Sequence, residues 1–485
     1  MTLQEVATAV DGAVAGDPAV LVTGPATFDS RQIVPGGLFV AVAGDRVDGH
    51  DFALRAHEAG AAAVLASRPT GAPSVLVEDP VDALGRLARH VLTRLDVTVL
   101  ALTGSQGKTG TKDYLAQVLG AAGPTVATAG NNNNELGVPM TVLRADAGTA
   151  YLVVEMGARG LGHIAYLCGI APPSVAAVLN VGTAHIGEFG SREAIAQAKG
   201  EIVESLSGGG TAVLNADDEL VAAMAARTRA RTLTFGRAGD VAWRAVGLDD
   251  LGRPSFELGY AGSWHPVRLA LPGEHQVANA AAAAAMALAV GVPLDRVAEG
   301  LTAARPASRW RMELTERADG LVVVNDAYNA NPASMVAALD SLVAIGERGG
   351  RRTVAVLGEM RELGSGALED HRGVGRAAAG AGVDVLVTVG EEAVGIAEGA
   401  EDVPGWPGLV VRTAGRDEAL AWVRQNVSAR DVVLVKASRG AALEVVAESL
   451  LQGPGPAPEQ QPPEQNPAVK NPPENPEVKP EVQQP

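Results

Sequence analysis

The sequence predicts an α/β protein of three domains followed by a disordered Pro-rich tail. Short apolar runs alternate with helical stretches along most of the chain, and a glycine-punctuated segment, TGSQGKTGTK, joins one such strand to one such helix. Length agrees: the chain has 485 residues, against roughly 100–200 for an ordinary domain. The expected units are a small N-terminal α/β domain (1–95), a central P-loop domain with a parallel sheet (96–315), a C-terminal Rossmann-like domain (316–452) and the tail (453–485).

In the first unit GLFVAVAG, AAAVLAS and SVLVED are apolar runs separated by helix-like stretches. The central unit opens on VTVLAL at 97–102, a buried-strand run, then the glycine loop and the helical pattern TKDYLAQVLGAAG. YLVVEM, PSVAAVLNV, TAVLN and TLTF continue it, with helical stretches between most of them. Strand–helix alternation of this kind predicts a parallel sheet covered on both faces. Residues 241–271 turn to short alternating strands, an antiparallel annex. LVVVND, RTVAVLG, VDVLVTVG, LVVRTA and DVVLVKAS each precede a helical segment, a second doubly wound unit whose ligands belong at the strands' carboxyl ends. After Gly453 the chain becomes Pro, Glu, Gln and Asn, with almost nothing to bury.

Composition excludes several roles. At 47% hydrophobic and 20% charged the chain reads as soluble and globular. A net charge of −17 argues against nucleic acid and against anionic membranes. Cys168 is the only cysteine, so an internal disulfide and a cysteine-rich metal site are both excluded. The start, MTLQEVATAVDGAV, lacks the basic and apolar regions of a signal peptide. The longest apolar run, Ala280 to Val290, falls short of the about 20 residues a bilayer needs, and its alanines suit a packed internal helix. The expected location is the cytoplasm.

The loop Thr103, Gly104, Ser105, Gln106, Gly107, Lys108, Thr109 lies between a predicted strand and a predicted helix. Glycines let backbone N–H groups approach phosphate oxygens, and the helix N-terminus favours negative charge. Lys108 would reach the outer phosphates and the Thr109 hydroxyl would ligate magnesium. The loop is shorter than the long-form pattern, since Leu102 stands five positions before Gly107. Alone it names a nucleotide site and no reaction.

Other candidates are ambiguous as residues. Glu155 ends the strand YLVVEM, where a carboxylate suits magnesium or a salt bridge. His185, in NVGTAHIGE, suits a ligand or a hydrogen-bonded structural histidine. Ile195, Ala198, Ile202 and Leu206 form a helical apolar stripe with Lys199 at its edge. That lysine is either partly buried, its pKa lowered by desolvation, or a snorkelling side chain with an exposed ammonium. His275 and Asn279 lie one helical turn apart in PGEHQVANAAAA. Lys436, Ser438 and Arg439 follow the last strand, a cluster suited to phosphate or a carboxylate. No Ser–His–Asp nucleophile is evident.

The shortened loop, with GNNNNELGVPMT, VVEMGARGLGHIAYLC, NVGTAHIGEFGS, VVNDAYNANPASM and VLGEMRELG, resembles the Mur ligase family over residues about 20–450. The last two strings are similar to the member that adds D-Ala-D-Ala. The resemblance implies an ATP-dependent amide-bond ligase of peptidoglycan precursor synthesis. It would join D-Ala-D-Ala to UDP-N-acetylmuramoyl-tripeptide through an acyl phosphate. It further implies catalytic roles for Lys108, His185 and Lys199, and two Mg2+ ions held by Thr109, Glu155, His185 and a carbamylated Lys199. Asn279 would meet the ATP base, Arg311 its phosphates and Asp326 its ribose, with Asn329 and Asn331 positioning ATP or dipeptide. Ser30 and Arg31 would hold the uridine end, Asn133 and Asn134 the nucleotide sugar, and Lys436, Ser438 and Arg439 phosphate or substrate. Two positions depart from the family pattern: Gln276, where Asn is commoner, and Gly110, where Thr or Ser is usual. A monomer with a mobile hinge is expected. The competing readings are a sister ligase adding one amino acid, a plain P-loop kinase or ATPase, and a nucleotide-binding scaffold presenting the tail.

Overall fold

The computed structural model describes residues 1–44, 47–182 and 189–452. His185 and the tail therefore lie outside the described residues. Three sheets succeed one another along the chain.

The first sheet has strands β1 (Ala13–Ala15), β2 (Ala26–Thr27), β3 (Leu38–Val40), β4 (Ala63–Ala66) and β5 (Ser74–Leu76), in the order β1-β5-β4-β3-β2. Only β1 runs antiparallel to its neighbour. β3 and β4 are buried at every position, as unbroken apolar runs in a parallel sheet should be. The helix Pro80–Leu92 starts where the Asp79 side chain accepts from Val81 N at 2.7 Å, with Pro80 in the first turn. Its Leu84 and Leu87 pack on Leu38, Leu65 and Val75.

The second sheet holds β6 (Thr98–Thr103), β7 (Thr125–Ala127), β8 (Tyr151–Glu155), β9 (Val175–Val178), β10 (Thr211–Asn215) and β11 (Arg231–Phe235), all parallel. The annex β12 (Val241–Leu248), β13 (Pro254–Tyr260) and β14 (Ser263–Arg268) is antiparallel and joins β11 through one pair, Phe235 with Val241. The order is β7-β8-β6-β9-β10-β11-β12-β13-β14, so the chain leaves β6 toward one edge and returns at β9 on its other side. That reversal opens a crevice at the carboxyl ends of β6 and β9. The helix His275–Ala289 packs on the helix Lys108–Gly120, and its residues 280–287 are each at most 1% exposed. Alanine lets it be buried all round.

The third sheet is β15 (Glu313–Glu316), β16 (Val322–Asp326), β17 (Arg352–Leu357), β18 (Val385–Val389), β19 (Leu409–Thr413) and β20 (Asp431–Lys436). Its order is β15-β16-β20-β17-β18-β19, with β15 antiparallel and the rest parallel. Helices Pro332–Gly349, Ala367–Gly380 and Glu444–Leu451 cover its faces. The α/β class and the annex agree with the sequence reading. β1, β2, β7 and β15 have no counterpart there, and all four are short edge strands. No described helix is long and apolar enough to cross a membrane.

Candidate active site

A cleft of about 850 Å³ lies between the carboxyl ends of the second and third sheets. The loop after β6 forms its floor. Gly107 caps the helix Lys108–Gly120 with φ 79°, and a Cβ there would stand 2.4 Å from Asn279 Oδ1, so only glycine fits. Thr111 N donates to Gly107 O at 2.9 Å. The N–H groups of Lys108, Thr109 and Gly110 thus lack intrahelical acceptors, in residues that line the cleft. This is an anion cradle. Lys108 Nζ donates to Gly104 O at 2.7 Å. Burial pushes its amine below the ordinary lysine value, which the Glu155 carboxylate opposes and Arg311 reinforces. Ser105 and Gln106 line the cleft, whereas Thr103 is fully buried at the end of β6 and stays out of it.

Asn180, passed over in the sequence, clips this loop. Its Oδ1 accepts from Ser105 N and Gln106 N, each at 3.0 Å, and its Nδ2 donates to Gln106 O at 3.1 Å. Those two N–H groups are therefore committed to the protein, and the cradle narrows to the first helical turn.

Thr109 Oγ1 donates to Glu155 Oε2 at 3.0 Å, and Asn133 Nδ2 donates to Oε1 at 2.7 Å. Glu155 is 1% exposed and each of its oxygens is held by one of these neutral side chains, and among the described residues no basic side chain forms an ion pair with it. Lys199 lines the same cleft at 4% exposure, from the helix Arg192–Glu204. The snorkelling alternative is thereby corrected: Ile195, Ala198 and Ile202 bury their stripe, and the lysine goes in with them. It has no hydrogen-bond or ion-pair partner among the described residues. Burial holds its amine well below the ordinary lysine value, and nearby Lys108 adds to this. Arg227, also unforeseen, braces the helix by donating to the carbonyls of Ala196 and Gln197 at 2.9 and 2.8 Å. A Cβ at Gly200 would overlap its guanidinium. His185, expected beside these groups, lies outside the described residues.

Asn279 Nδ2 donates to Gln276 Oε1 at 3.1 Å, and Gln276 in turn meets His275 Nε2 at 3.3 Å. A Cβ at Gly110 would lie 3.2 Å from Asn279 Nδ2 and 3.5 Å from Gln276 Oε1. Gly110 therefore leaves room for this amide pair, a use the sequence did not reveal. Burial lowers the His275 pKa, with Asp326 opposing and Lys436 assisting.

From the third sheet, Asp326 and Lys436 are direct neighbours across β16 and β20. Lys436 Nζ donates to Asp326 Oδ2 at 2.5 Å and to Asn329 O at 2.9 Å. Lys436 is 2% exposed, which makes it chiefly an internal partner of Asp326. Ser438 Oγ accepts from Arg361 N at 3.0 Å, and Arg439 pairs with Glu444 at 2.6 Å while lying over the Trp310 ring. Arg311 lies over the Tyr328 ring, 4.4 Å from its centroid. Asn331 is spent as an N-cap, accepting from Ser334 N at 2.9 Å, and Asn134 accepts from Gly137 N at 2.9 Å to start another helix. Both still line the cleft.

Ser30 and Arg31 stay on the first sheet, away from the cleft. Arg31 grips Asp29 through Nε at 2.9 Å and Nη2 at 2.8 Å, holding that carboxyl down at about 2. An Asp48–His50–Ser67 relay, unseen in the sequence, also lies there: Asp48 Oδ1 is 2.6 Å from His50 Nδ1, and His50 Nε2 is 3.0 Å from Ser67 Oγ. Ser67 N donates to the same Nε2 at 3.0 Å, engaging the lone pair a general base would need. The relay fastens the end of β4 to the turn at 49–52 and is no hydrolase.

Three family descriptions match the chain: Mur ligase family, catalytic domain over 26–91; Mur ligase middle domain over 102–287; and Mur ligase, glutamate ligase domain over 310–439. The chain is 47% identical to the UDP-N-acetylmuramoyl-tripeptide–D-alanyl-D-alanine ligase of Mycobacterium tuberculosis, covering 93% of this chain and 98% of that one. The MurF crystal structure from Acinetobacter baumannii superposes with TM-score 0.83 at 33% identity, over 93% of this chain and 98% of that one. MurF ligase from Thermotoga maritima in complex with ADP gives 0.77 at 32%, over 89% and 98%. On matches of this length and identity, the chain belongs to the Mur ligase family.

Proposed function

We propose that the chain is a cytoplasmic, monomeric ATP-dependent ligase that joins D-Ala-D-Ala to UDP-N-acetylmuramoyl-tripeptide and forms ADP. The observation that carries this reading is the shared cleft: the anion cradle, Glu155 and Lys199 line one wall, and Asp326, Arg361 and Arg439 the other. Near-full-length similarity to a relative named for that reaction supports the substrate pair. We assign the units 1–95, 96–315 and 316–452 to the nucleotide-sugar, ATP and amino substrates respectively.

In the reaction a substrate carboxylate oxygen attacks the γ-phosphorus of ATP, ADP leaves, and an acyl phosphate results. The dipeptide amine then attacks the acyl carbon, and phosphate departs as the amide forms. The N–H groups of Lys108, Thr109 and Gly110 would hold phosphate oxygens, while Lys108 and Arg311 offset their charge. The Thr109 hydroxyl and Glu155 carboxylate are hard oxygen donors of the kind Mg2+ prefers. Magnesium, when bound, supplies the charge neutralisation that phosphoryl transfer requires. Among the described residues no group of three His, Cys, Asp or Glu could hold a metal, and Glu155 is the carboxylate beside the nucleotide loop. Carbamylation would add a second anionic group: burial favours the neutral form of the Lys199 amine, which would attack carbon dioxide, give up a proton to water and leave an anionic carbamate. Asn279 would meet the base, and Asp326 the ribose.

Mass spectrometry of the nucleotide product tests the reading. Incubation with ATP, Mg2+, UDP-N-acetylmuramoyl-tripeptide and D-Ala-D-Ala should add one dipeptide residue mass. No dipeptide adduct, with a single residue mass added when a free amino acid is offered instead, would identify a sister ligase.

A further inference from the structure

The asparagines of GNNNNELG divide their labour. Asn134 accepts from Gly137 N at 2.9 Å and starts a helix. Asn133 Nδ2 holds Glu155 Oε1 at 2.7 Å, and Asn133 O accepts from Gly157 N at 2.8 Å. Asn131 turns the other way: its Oδ1 accepts a hydrogen bond from the Tyr328 hydroxyl, across the cleft. Asn131 and Asn133 are also joined directly, because Asn133 N donates to Asn131 O at 2.7 Å.

Tyr328 is held for this contact. Its ring stacks on Trp310 with centroids 6.5 Å apart and 27° between planes, and Arg311 covers it at 4.4 Å. Trp310 is itself fixed, by Glu448 Oε1 accepting from its Nε1 at 3.2 Å and by Arg439 at 4.4 Å from its ring. The ring therefore has little freedom, and the hydroxyl is its one polar atom.

We propose that Tyr328 is a positioning residue: docking of the third unit is transmitted from its hydroxyl through Asn131 and Asn133 to the Glu155 carboxylate, setting that oxygen for the magnesium-bound nucleotide. The inference rests on the ligase reading for its use of magnesium. Without Tyr328 the loop 131–133 loses its one side-chain tie to the third sheet among the described residues, and Glu155 Oε1 loses a fixed donor. Bound nucleotide and a docked third unit thus favour one another, a coupling that must be reciprocal.

Calorimetric titration of the full chain with ADP, with and without Mg2+, tests this without turnover. Tyr328→Phe keeps the stacking and removes only the hydroxyl, and Asn131→Ala alters an exposed loop side chain. Each should weaken Mg·ADP about fivefold, leave metal-free ADP unchanged, and combine with no further loss in the double variant. Multiplicative losses, equal losses with and without Mg2+, or no loss would overturn the proposal. Should either single variant fail to fold, the other, compared with the intact chain, reads the same metal dependence. Failure of the ligase reading would appear separately, as an intact chain that binds Mg·ADP yet adds no dipeptide.

Discussion

Thr109 and Glu155 meet where the nucleotide loop passes the end of β8, the threonine hydroxyl donating to one carboxylate oxygen at 3.0 Å. The carboxylate is 1% exposed, so each of its hydrogen bonds replaces a lost water. Thr109→Val keeps the shape and deletes the donor. A buried acceptor left unpaired costs about 1–3 kcal/mol. Thermal unfolding should show that loss, and Mg2+ titration of activity should show a higher half-saturation.

Lys199 should be a stability liability that the reaction requires. At pH 7 the unfolded chain binds a proton at this amine that the folded chain resists, because burial holds the folded pKa below the unfolded one. The unfolded state thus binds more protons, and stability rises with pH until the unfolded lysine titrates near about 10.4. Lys199→Met removes that slope. In carbon dioxide-depleted buffer the variant should be more stable than the intact chain at pH 7. The difference should shrink as pH approaches 10, and ligase activity should be lost. Denaturant unfolding across pH reads the first part, and near-full activity would remove the carbamate from the mechanism.

Gly107→Ala tests the cradle. The left-handed conformation costs an L-residue roughly 1–2 kcal/mol, and the new Cβ would press on Asn279 Oδ1 at 2.4 Å. Both the loop and the Asn279 amide would shift. Calorimetry should show nucleotide affinity reduced at least about tenfold for a displacement costing 1.4 kcal/mol or more, with little change in far-UV circular dichroism.

Asp326 and Lys436 form a buried pair at 9% and 2% exposure. Removing one partner strands the other charge, at a cost of about 3–5 kcal/mol. Asp326→Ala should therefore lower the unfolding midpoint sharply. The double variant Asp326→Leu/Lys436→Met should recover much of that stability but not activity, since Asp326 also lines the cleft.

The sheets were legible because their central strands are apolar runs: Val322 to Asp326 and Asp431 to Lys436 are buried at every position. β7 and β15 were not, since each lies at a sheet edge, half-exposed or exposed, without an apolar signature. Within the site, Lys108, Glu155 and Lys199 were readable from strand ends and a helical stripe. Periodicity left Lys199 at the stripe's edge; only the packing around that helix decides that it is buried. Asn180 and Tyr328 carried no comparable signal. Their importance comes from contacts with residues far along the chain, Gln106 for one and Asn131 for the other. Gly110 read only as a departure from the family pattern, and its purpose emerges only beside Gln276 and Asn279.

Whether the cleft is a ligase site is decided by phosphate release from ATP in the presence of Mg2+ and UDP-N-acetylmuramoyl-tripeptide, with and without D-Ala-D-Ala. A ligase of this mechanism releases little phosphate without the dipeptide, releases it in step with amide formation once the dipeptide is added, and releases none in either case as Lys108→Ala. Release that is indifferent to the dipeptide, or that Lys108→Ala retains, would refute the assignment.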